Sequence, residues 1–489
     1  MIRVFLACIS FAILSSCGSG GDSGPVSIAI IGQEQSLVQQ GVRLSTAGQH
    51  MRAATAEGLV ALDPAGQVVP AIAERWIVTD DGLSYIFRLR ASTWPDGEEI
   101  TGNDVRTALR SAIRQLDGTS LGLDLAKVTE IRAMTGRVVE VRLSSPMPDF
   151  LRLLAQPELG LIKSGSGAGP MVLSREEDAG LARLSALPPE DRGLPQREDW
   201  EDAARGLTVR ALPAQAAVDA FTDGEVDLVL NGTLANFPLA QLGPLSRGTV
   251  QVDPTQGLFG LVFRSDEGLL ADPARREALS MALNRAELIQ PFGLGGWQQA
   301  TWIVPAGFFT PQQYPANRWA EMDIEQRRAV ARRRIAAWEA QEGVEAVVRV
   351  GLPSGPGSDL LFDQIARNWQ AIGVTAVRTG MGEGAELELR DRLARYSSPR
   401  WFLNQFNCAL SNGLCSPEAD ALVRQSLTQR DPQAKQQLFA DAHVELTAAE
   451  VFIPLGVPVR WSLVRGSVEG YQANQWGLHP LLALSEPTT

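Results

Sequence analysis

Apolar positions along the chain repeat with two different periods, and the switches between them mark out its elements. Val26 to Ile31 is a run of small and branched apolar residues that predicts a first strand. Leu59 to Leu62 leads through Asp63 to a turn at Pro64-Ala65-Gly66. Then Trp76-Ile77-Val78 and the alternating run Tyr85-Ile86-Phe87-Arg88-Leu89-Arg90 flank Asp80-Asp81-Gly82, which has the chemistry of a hairpin turn. A second turn falls at Trp94-Pro95-Asp96-Gly97, and Thr101 caps a helix predicted over 102–115. Val138 to Leu143 alternates as a further strand, and Trp76 and Trp94 belong to the core of this β-rich part.

From about 160 to 260 short strands and helices mix in α/β style. Gly165 to Pro170 is rich in glycine but lacks the Lys-Ser/Thr of a phosphate loop, so it reads as a turn into the strand Met171-Val172-Leu173. Gly224 ends a helix, and the strand Val226 to Leu230 follows. Beyond 265 the helices lengthen. One is capped at Asp272-Pro273 and runs through Leu288; another starts at Asp323 and carries Arg327, Arg328, Arg332, Arg333 and Arg334. Acidic neighbours and the apolar Ile335, Ala336 and Trp338 make that second helix a solvated amphipathic one rather than an anion patch. Val347 to Leu352, a helix over 359–371 and Ile372 to Val377 predict a βαβ unit. Ser416-Pro417 and Asp431-Pro432 each place proline after a cap, starting two more helices, and Val451 to Leu455 closes as a buried strand. The change of body near 265 and the return near 455 predict two lobes joined by more than one crossing, a form that closes on a ligand by hinge motion.

The N-terminus stands apart from this pattern. Met1-Ile2-Arg3 is a positive start, and Val4 to Leu14 is apolar but too short to span a bilayer. Leu14-Ser15-Ser16-Cys17 resembles a bacterial lipobox, with Cys17 acylated and a flexible Gly/Ser tether over 17–24; the alternative is a plain signal peptide with Cys17 incidental. The expectation is a signal peptide over 1–16 and an extracytoplasmic protein held to the membrane by lipid alone. The chain has 489 residues, enough for two or three lobes, and a net charge of −12, which gives no attraction for nucleic acid. Of the four cysteines, Cys8 lies in the leader and Cys17 carries lipid, which leaves Cys408 and Cys415 flanking an Asn-Gly turn in an oxidising compartment. A disulfide there would close a short loop and stabilise the fold by about 2–3 kcal/mol. A metal site is the rival reading, but the chain has only three histidines, His50, His443 and His479, to complete it.

Enzyme chemistry finds little support. His-Glu-x-x-His and P-loop motifs are absent from the sequence, and nothing singles out a carboxylate pair. No cofactor is expected.

One long stretch carries a family resemblance. Gly58-Leu59-Val60, Val69-Pro70-Ala71-Ile72-Ala73-Glu74-Arg75-Trp76, Asp81-Gly82-Leu83-Ser84-Tyr85-Ile86-Phe87-Arg88-Leu89-Arg90 and Trp94-Pro95-Asp96-Gly97 through Thr101-Gly102-Asn103-Asp104-Val105 resemble the peptide/nickel-type solute-binding proteins of ABC importers. Gly167-Ala168-Gly169-Pro170, Gly224-Glu225-Val226-Asp227, the helix Arg276 to Arg285, Ile303-Val304-Pro305, Ile372-Gly373-Val374 and Ile453-Pro454-Leu455 follow in the family's order. The resemblance implies an α/β, periplasmic binding protein-like two-lobed fold with an extra small subdomain. Lobe I would comprise 25–48, 160–262 and 456–489, the subdomain 49–159 and lobe II 263–455, with the ligand cleft between the lobes. It also implies a monomeric receptor whose partners are a small-molecule or peptide ligand and the permease and ATPase subunits of an ABC importer. The alternative is a lipid-anchored receptor or chaperone uncoupled from transport.

Peptide-binding members carry an acidic residue in an Asp-Tyr-x-Asp-Pro-like segment, and it pairs with the peptide's α-ammonium. Here the segment reads Arg395-Tyr396-Ser397-Ser398-Pro399-Arg400-Trp401-Phe402, without a carboxylate. A buried ammonium without its counter-charge loses about 2–5 kcal/mol, so an anionic, neutral or glycosidic ligand fits better. Its place in the resemblance makes Tyr396, Arg400, Trp401, Phe402 and Asn404 the first ligand-binding candidates. Trp297 and Trp302 come next, then Gln33 and Asn231 at strand ends facing the cleft; core packing is the alternative role for each aromatic.

Overall fold

The strand Val26–Ile31 forms as expected and lies in the middle of a seven-stranded sheet. The computed structural model describes residues 24–176, 180–241, 243, 248–315, 319 and 321–486. The leader and the tether up to Ser23, with Cys17, fall outside them. The sheet runs in the order Met171–Glu176, Leu181–Ala186, Leu207–Leu212, Val26–Ile31, Leu228–Thr233, Arg460–Val464 and Val250–Val252. Val26–Ile31 is parallel to both neighbours. Its two faces are both buried, Ile28 and Ile30 in one apolar cluster and Ala29 and Ile31 in another, which is why this strand reads as a continuous apolar run.

A second sheet has the order Thr375–Thr379, Val347–Gly351, Leu387–Leu393, Gly257–Phe263 and Phe452–Gly456. The predicted βαβ unit is present: Val347–Gly351 and Thr375–Thr379 are parallel, and the helix Pro356–Gln370 connects them. A third, antiparallel sheet of Ala73–Val78, Ser84–Leu89, Val138–Leu143 and Val128–Ala133 is covered by the helix Gly102–Gln115. Thr101 and Asp104 close a reciprocal capping box at the start of that helix. Ser416 and Asp431 likewise cap the helices Pro417–Gln425 and Pro432–Ala448.

Three expectations need correction. Gly257–Phe263, placed in lobe I by the 262/263 boundary, pairs along its whole length with Leu387–Leu393 in the second sheet. It is buried at every position, so its apolar run belongs with that sheet, and the first crossing lies at 253–257. The helix Thr46–Thr55 straddles the 48/49 boundary, yet Ala47, Met51 and Ala54 pack together against the seven-stranded sheet. The helix expected from Asp272 to Leu288 breaks into Pro273–Ala282 and Arg285–Ile289, because Leu283 and Asn284 take extended backbone between them. The basic helix Ile324–Glu342 is amphipathic as expected, with Ala331 and Ile335 buried and Arg332 and Arg333 exposed, and several of its arginines also reach neighbours: Arg328 donates to the Ala282 carbonyl at 3.2 Å, Arg332 to that of Ala371 at 2.7 Å, and Arg334 pairs with the buried Glu277 at 2.8 Å. Its arginines tie neighbouring helices together.

The three sheets do not have separate interiors. One apolar cluster runs from Phe87, Trp94 and Phe150 under the antiparallel sheet to Phe402 and Phe439 in the later helices. Another joins Phe221 and Trp461 of the seven-stranded sheet to Phe263 and Trp369 of the second body.

Candidate functional site

Two adjoining cavities, of about 380 and about 350 Å3, open where the three bodies meet, and Leu44, Ser45, Ser120, Arg392 and Arg395 line both. Each wall is set by a local feature. Ser45 accepts the Gly48 N–H at 3.1 Å and so starts the helix Thr46–Thr55 at the cavity edge. Thr119 does the same for Ser120–Leu125 by accepting from Gly122. The strand Leu387–Leu393 ends inside the cleft and delivers Asp391, Arg392 and, just beyond it, Arg395. Trp401 and Trp476 provide aromatic wall.

Ion pairs across the cleft consume its acids. Glu158 is buried and accepts two hydrogen bonds from Arg395, 2.7 Å to Oε1 and 2.9 Å to Oε2, and a third from Gln49 at 3.0 Å. Although burial opposes it, the Arg395 guanidinium holds the Glu158 carboxyl below its ordinary pKa. Asp391 accepts from Arg460 through both oxygens, at 2.8 and 3.0 Å, joining the second sheet to the seven-stranded one.

The structure separates the residues singled out in the sequence. Tyr396, Arg400, Phe402 and Asn404 line neither cavity; they are buried where the helix Pro399–Asn404 meets Ser120–Leu125. There Tyr396 donates to Asp124 Oδ1 at 2.8 Å, Asn404 to the same oxygen at 2.7 Å, and Arg400 to the backbone carbonyls of Asp124 and Leu123. Of that group Trp401 alone reaches the cavity wall. Trp297 lies against the return between Phe452–Gly456 and Arg460–Val464, its Nε1 donating to the Val457 carbonyl at 2.9 Å and its ring against Gly456, where a Cβ would meet it at 2.0 Å. Trp302 packs in an aromatic group with Tyr314 and His443. Asn231 takes a left-handed φ of 69° and donates to the Ile31 carbonyl at 2.7 Å, and Gln33 is exposed beside a short 3-10 turn. Cys408 and Cys415 are joined by a disulfide with Cα atoms 5.2 Å apart.

Arg392, Asp391, Arg460 and Glu158 went unnoticed in the sequence. A signal was present for the first two: Arg390-Asp391-Arg392 interrupts a strand whose neighbours in the sheet are apolar. Glu158 and Arg460 carry no such mark.

The Asp124 contact is sensitive to acid. Burial raises its carboxyl from 3.8 to about 6, against the pull of Arg400 and the Asn404 and Tyr396 donors. Above about 6 the folded protein bears the full cost of ionising this buried acid. As pH falls from 6 towards 3.8 the folded carboxyl takes its proton before the unfolded one, and that cost disappears. Asp124 therefore adds up to about 3 kcal/mol of stability on acidification across this window. Lys127, lowered to about 6 by burial, acts over the range above it. Asp124→Asn keeps the acceptor oxygen and removes the titration. Unfolding measured at pH 7 and pH 4 should show wild type gaining on the variant as pH falls; a constant gap would mean that Asp124 titrates normally.

A family model for bacterial extracellular solute-binding proteins, family 5 (middle region) matches residues 67–412. The chain belongs to that family. Among its relatives is a probable di/tripeptide-binding protein 5 of Pseudomonas aeruginosa, 24% identical over 84% of this chain and 86% of that one. The periplasmic oligopeptide-binding protein OppA of Salmonella typhimurium is also 24% identical, over 85% of this chain and 84% of its own length. The fold agrees with Haemophilus influenzae OppA in complex with RPPGFSPFR, at a TM-score of 0.78 and 17% identity over 93% of this chain and 97% of that one. It agrees as well with the Escherichia coli murein tripeptide binding protein MppA, at 0.77 and 19%, over 94% and 97%. At such identities the structures establish the two-lobed fold and not the ligand. Membership makes the protein a solute-binding receptor, and no described helix is long and apolar enough to cross a membrane.

Proposed function

We propose that this protein captures a small solute in the cavity between its lobes, outside the cytoplasm, and delivers it to an ABC importer as a monomeric, lipid-anchored receptor. The observation that supports the reading most is the cavity itself: all three bodies contribute walls, and Trp401 and Trp476 line it beside Arg392, Arg395 and Arg460. The names of the relatives speak for peptides as the general class of solute. Native mass spectrometry of the purified protein tests capture directly. A bound small molecule, released when the protein is unfolded, is the expected result; a protein that carries none and binds none of a peptide panel would sink the reading.

Anchoring rests on Leu14-Ser15-Ser16-Cys17 alone. Cys17→Ala should move the protein from the membrane fraction to the soluble one. Continued sedimentation with membranes would exclude the lipobox.

A further inference from the structure

The charges around the cavity do not cancel. Its walls carry Arg43, Arg392, Arg395 and Arg460 against Glu158 and Asp391. Glu158 is spent on Arg395 and Asp391 on Arg460, each through both carboxylate oxygens. Every oxygen of both acids already accepts from an arginine, so each negative charge is matched within the protein. On the basic side Arg43 and Arg392 are left over. Among the described residues neither makes a hydrogen bond or an ion pair, and both are exposed.

The two leftover cations are not equivalent. Arg43 lines one cavity only, whereas Arg392 lines both. Arg392 extends from a strand paired over seven residues with Gly257–Phe263, so its backbone is fixed. Although Arg392 is exposed in the cleft, neighbouring protein, and after it the Arg395 guanidinium, lower its pKa, as expected for a cation set beside a like charge without a counter-charge of its own. Nothing in the fold of the free protein uses it. A guanidinium kept in this way is suited to a planar oxyanion, which it can grip through two parallel N–H donors. The net charge of −12 gives the outer surface no such preference, so the selectivity is local to the cavity.

We propose that the cavity selects solutes bearing an oxyanion, a carboxylate or a phosphate, that Arg392 holds this group, and that a free amino group on the solute is not recognised. This rests on the reading of the cavity as the solute site. It also gives meaning to the segment 395–399, which carries no carboxylate and whose Arg395 is already paired to Glu158.

The test uses trialanine in four forms (free, N-acetylated, C-amidated and doubly blocked) together with glucose 6-phosphate, by calorimetry on wild type and Arg392→Met. N-acetylation should leave affinity unchanged, and amidation should weaken it about thirtyfold or more. In Arg392→Met the free and amidated forms should bind alike, with the melting temperature unchanged because no partner is orphaned. Binding of glucose 6-phosphate but not of the peptides would assign the oxyanion to a phosphate. A marked preference for the free amine, or undiminished binding by Arg392→Met, would overturn the proposal while leaving solute capture intact. Where no probe binds, the molecule retained by the purified protein decides: an acidic one lost from Arg392→Met supports the proposal, and a neutral or cationic one overturns it. A protein with no retained molecule and no binding loses the capture reading, and this proposal with it.

Discussion

Glu158→Gln should lower the unfolding free energy by about 3 kcal/mol, the low end of what breaking a buried ion pair costs. The low end is appropriate because the two partners differ in exposure: the Glu158 side chain is 2% exposed and that of Arg395 24%. Water reaches the arginine in part and softens the loss of its counter-charge. Glutamine keeps an acceptor for one donor but cannot receive both arms of the guanidinium. Chemical denaturation at pH 7 reads the effect, and a loss under about 1 kcal/mol would place this pair with ordinary surface bridges. The variant has a second signature. With Glu158 neutral, Arg395 becomes a further unpaired cation in the cavity, so an anionic probe should bind the variant more tightly even as the fold weakens. Opposite signs for stability and affinity are hard to obtain from a general disturbance of structure.

Trp369→Ala should cost about 3–5 kcal/mol, as large aromatic deletions in a closed core do. Trp369 is 0% exposed and packs in the cluster that joins the two large sheets. Its Nε1 donates to the Leu279 carbonyl at 3.0 Å, holding the helix Pro356–Gln370 against Pro273–Ala282. Alanine leaves both a void and an unpaired buried carbonyl. Trp369→Phe retains most of the packing and should cost less than half as much. Thermal and urea unfolding of both variants checks this; an alanine variant within about 1 kcal/mol of wild type would show that the core collapses to fill the space.

What was legible in the sequence was written over a few residues. Thr101 with Asp104, Asp323 with Gln326, and the Ser-Pro and Asp-Pro pairs at 416 and 431 mark helix starts because donor and acceptor lie within one turn. The break after Ala282 was missed because Leu283 and Asn284 carry no glycine or proline; the buried Arg285, donating to the Pro454 carbonyl at 2.8 Å, fits a break imposed by tertiary contacts. The site failed in the same way. Tyr396 meets Asp124 across 272 residues of chain and Arg460 meets Asp391 across 69, distances at which local pattern carries no information. An aligned segment indicated the right neighbourhood, yet in it Trp401 faces the cavity while Tyr396 and Phe402 face the core.

The chain has only three lysines, Lys127, Lys163 and Lys435, and this scarcity has a practical side. Lys127 is 3% exposed, with its amine donating to Ser145 at 2.7 Å, and Lys435 is half-buried against the Pro146 carbonyl. Lys163, ion-paired with Glu98 at the surface of the antiparallel-sheet body, has a side chain 36% exposed, and it lines neither cavity. Amine-coupling reagents directed at side chains would therefore tether the protein through very few points, none of them lining the solute cleft. A sensor surface prepared in this way would carry the receptor in few orientations, without any engineered tag.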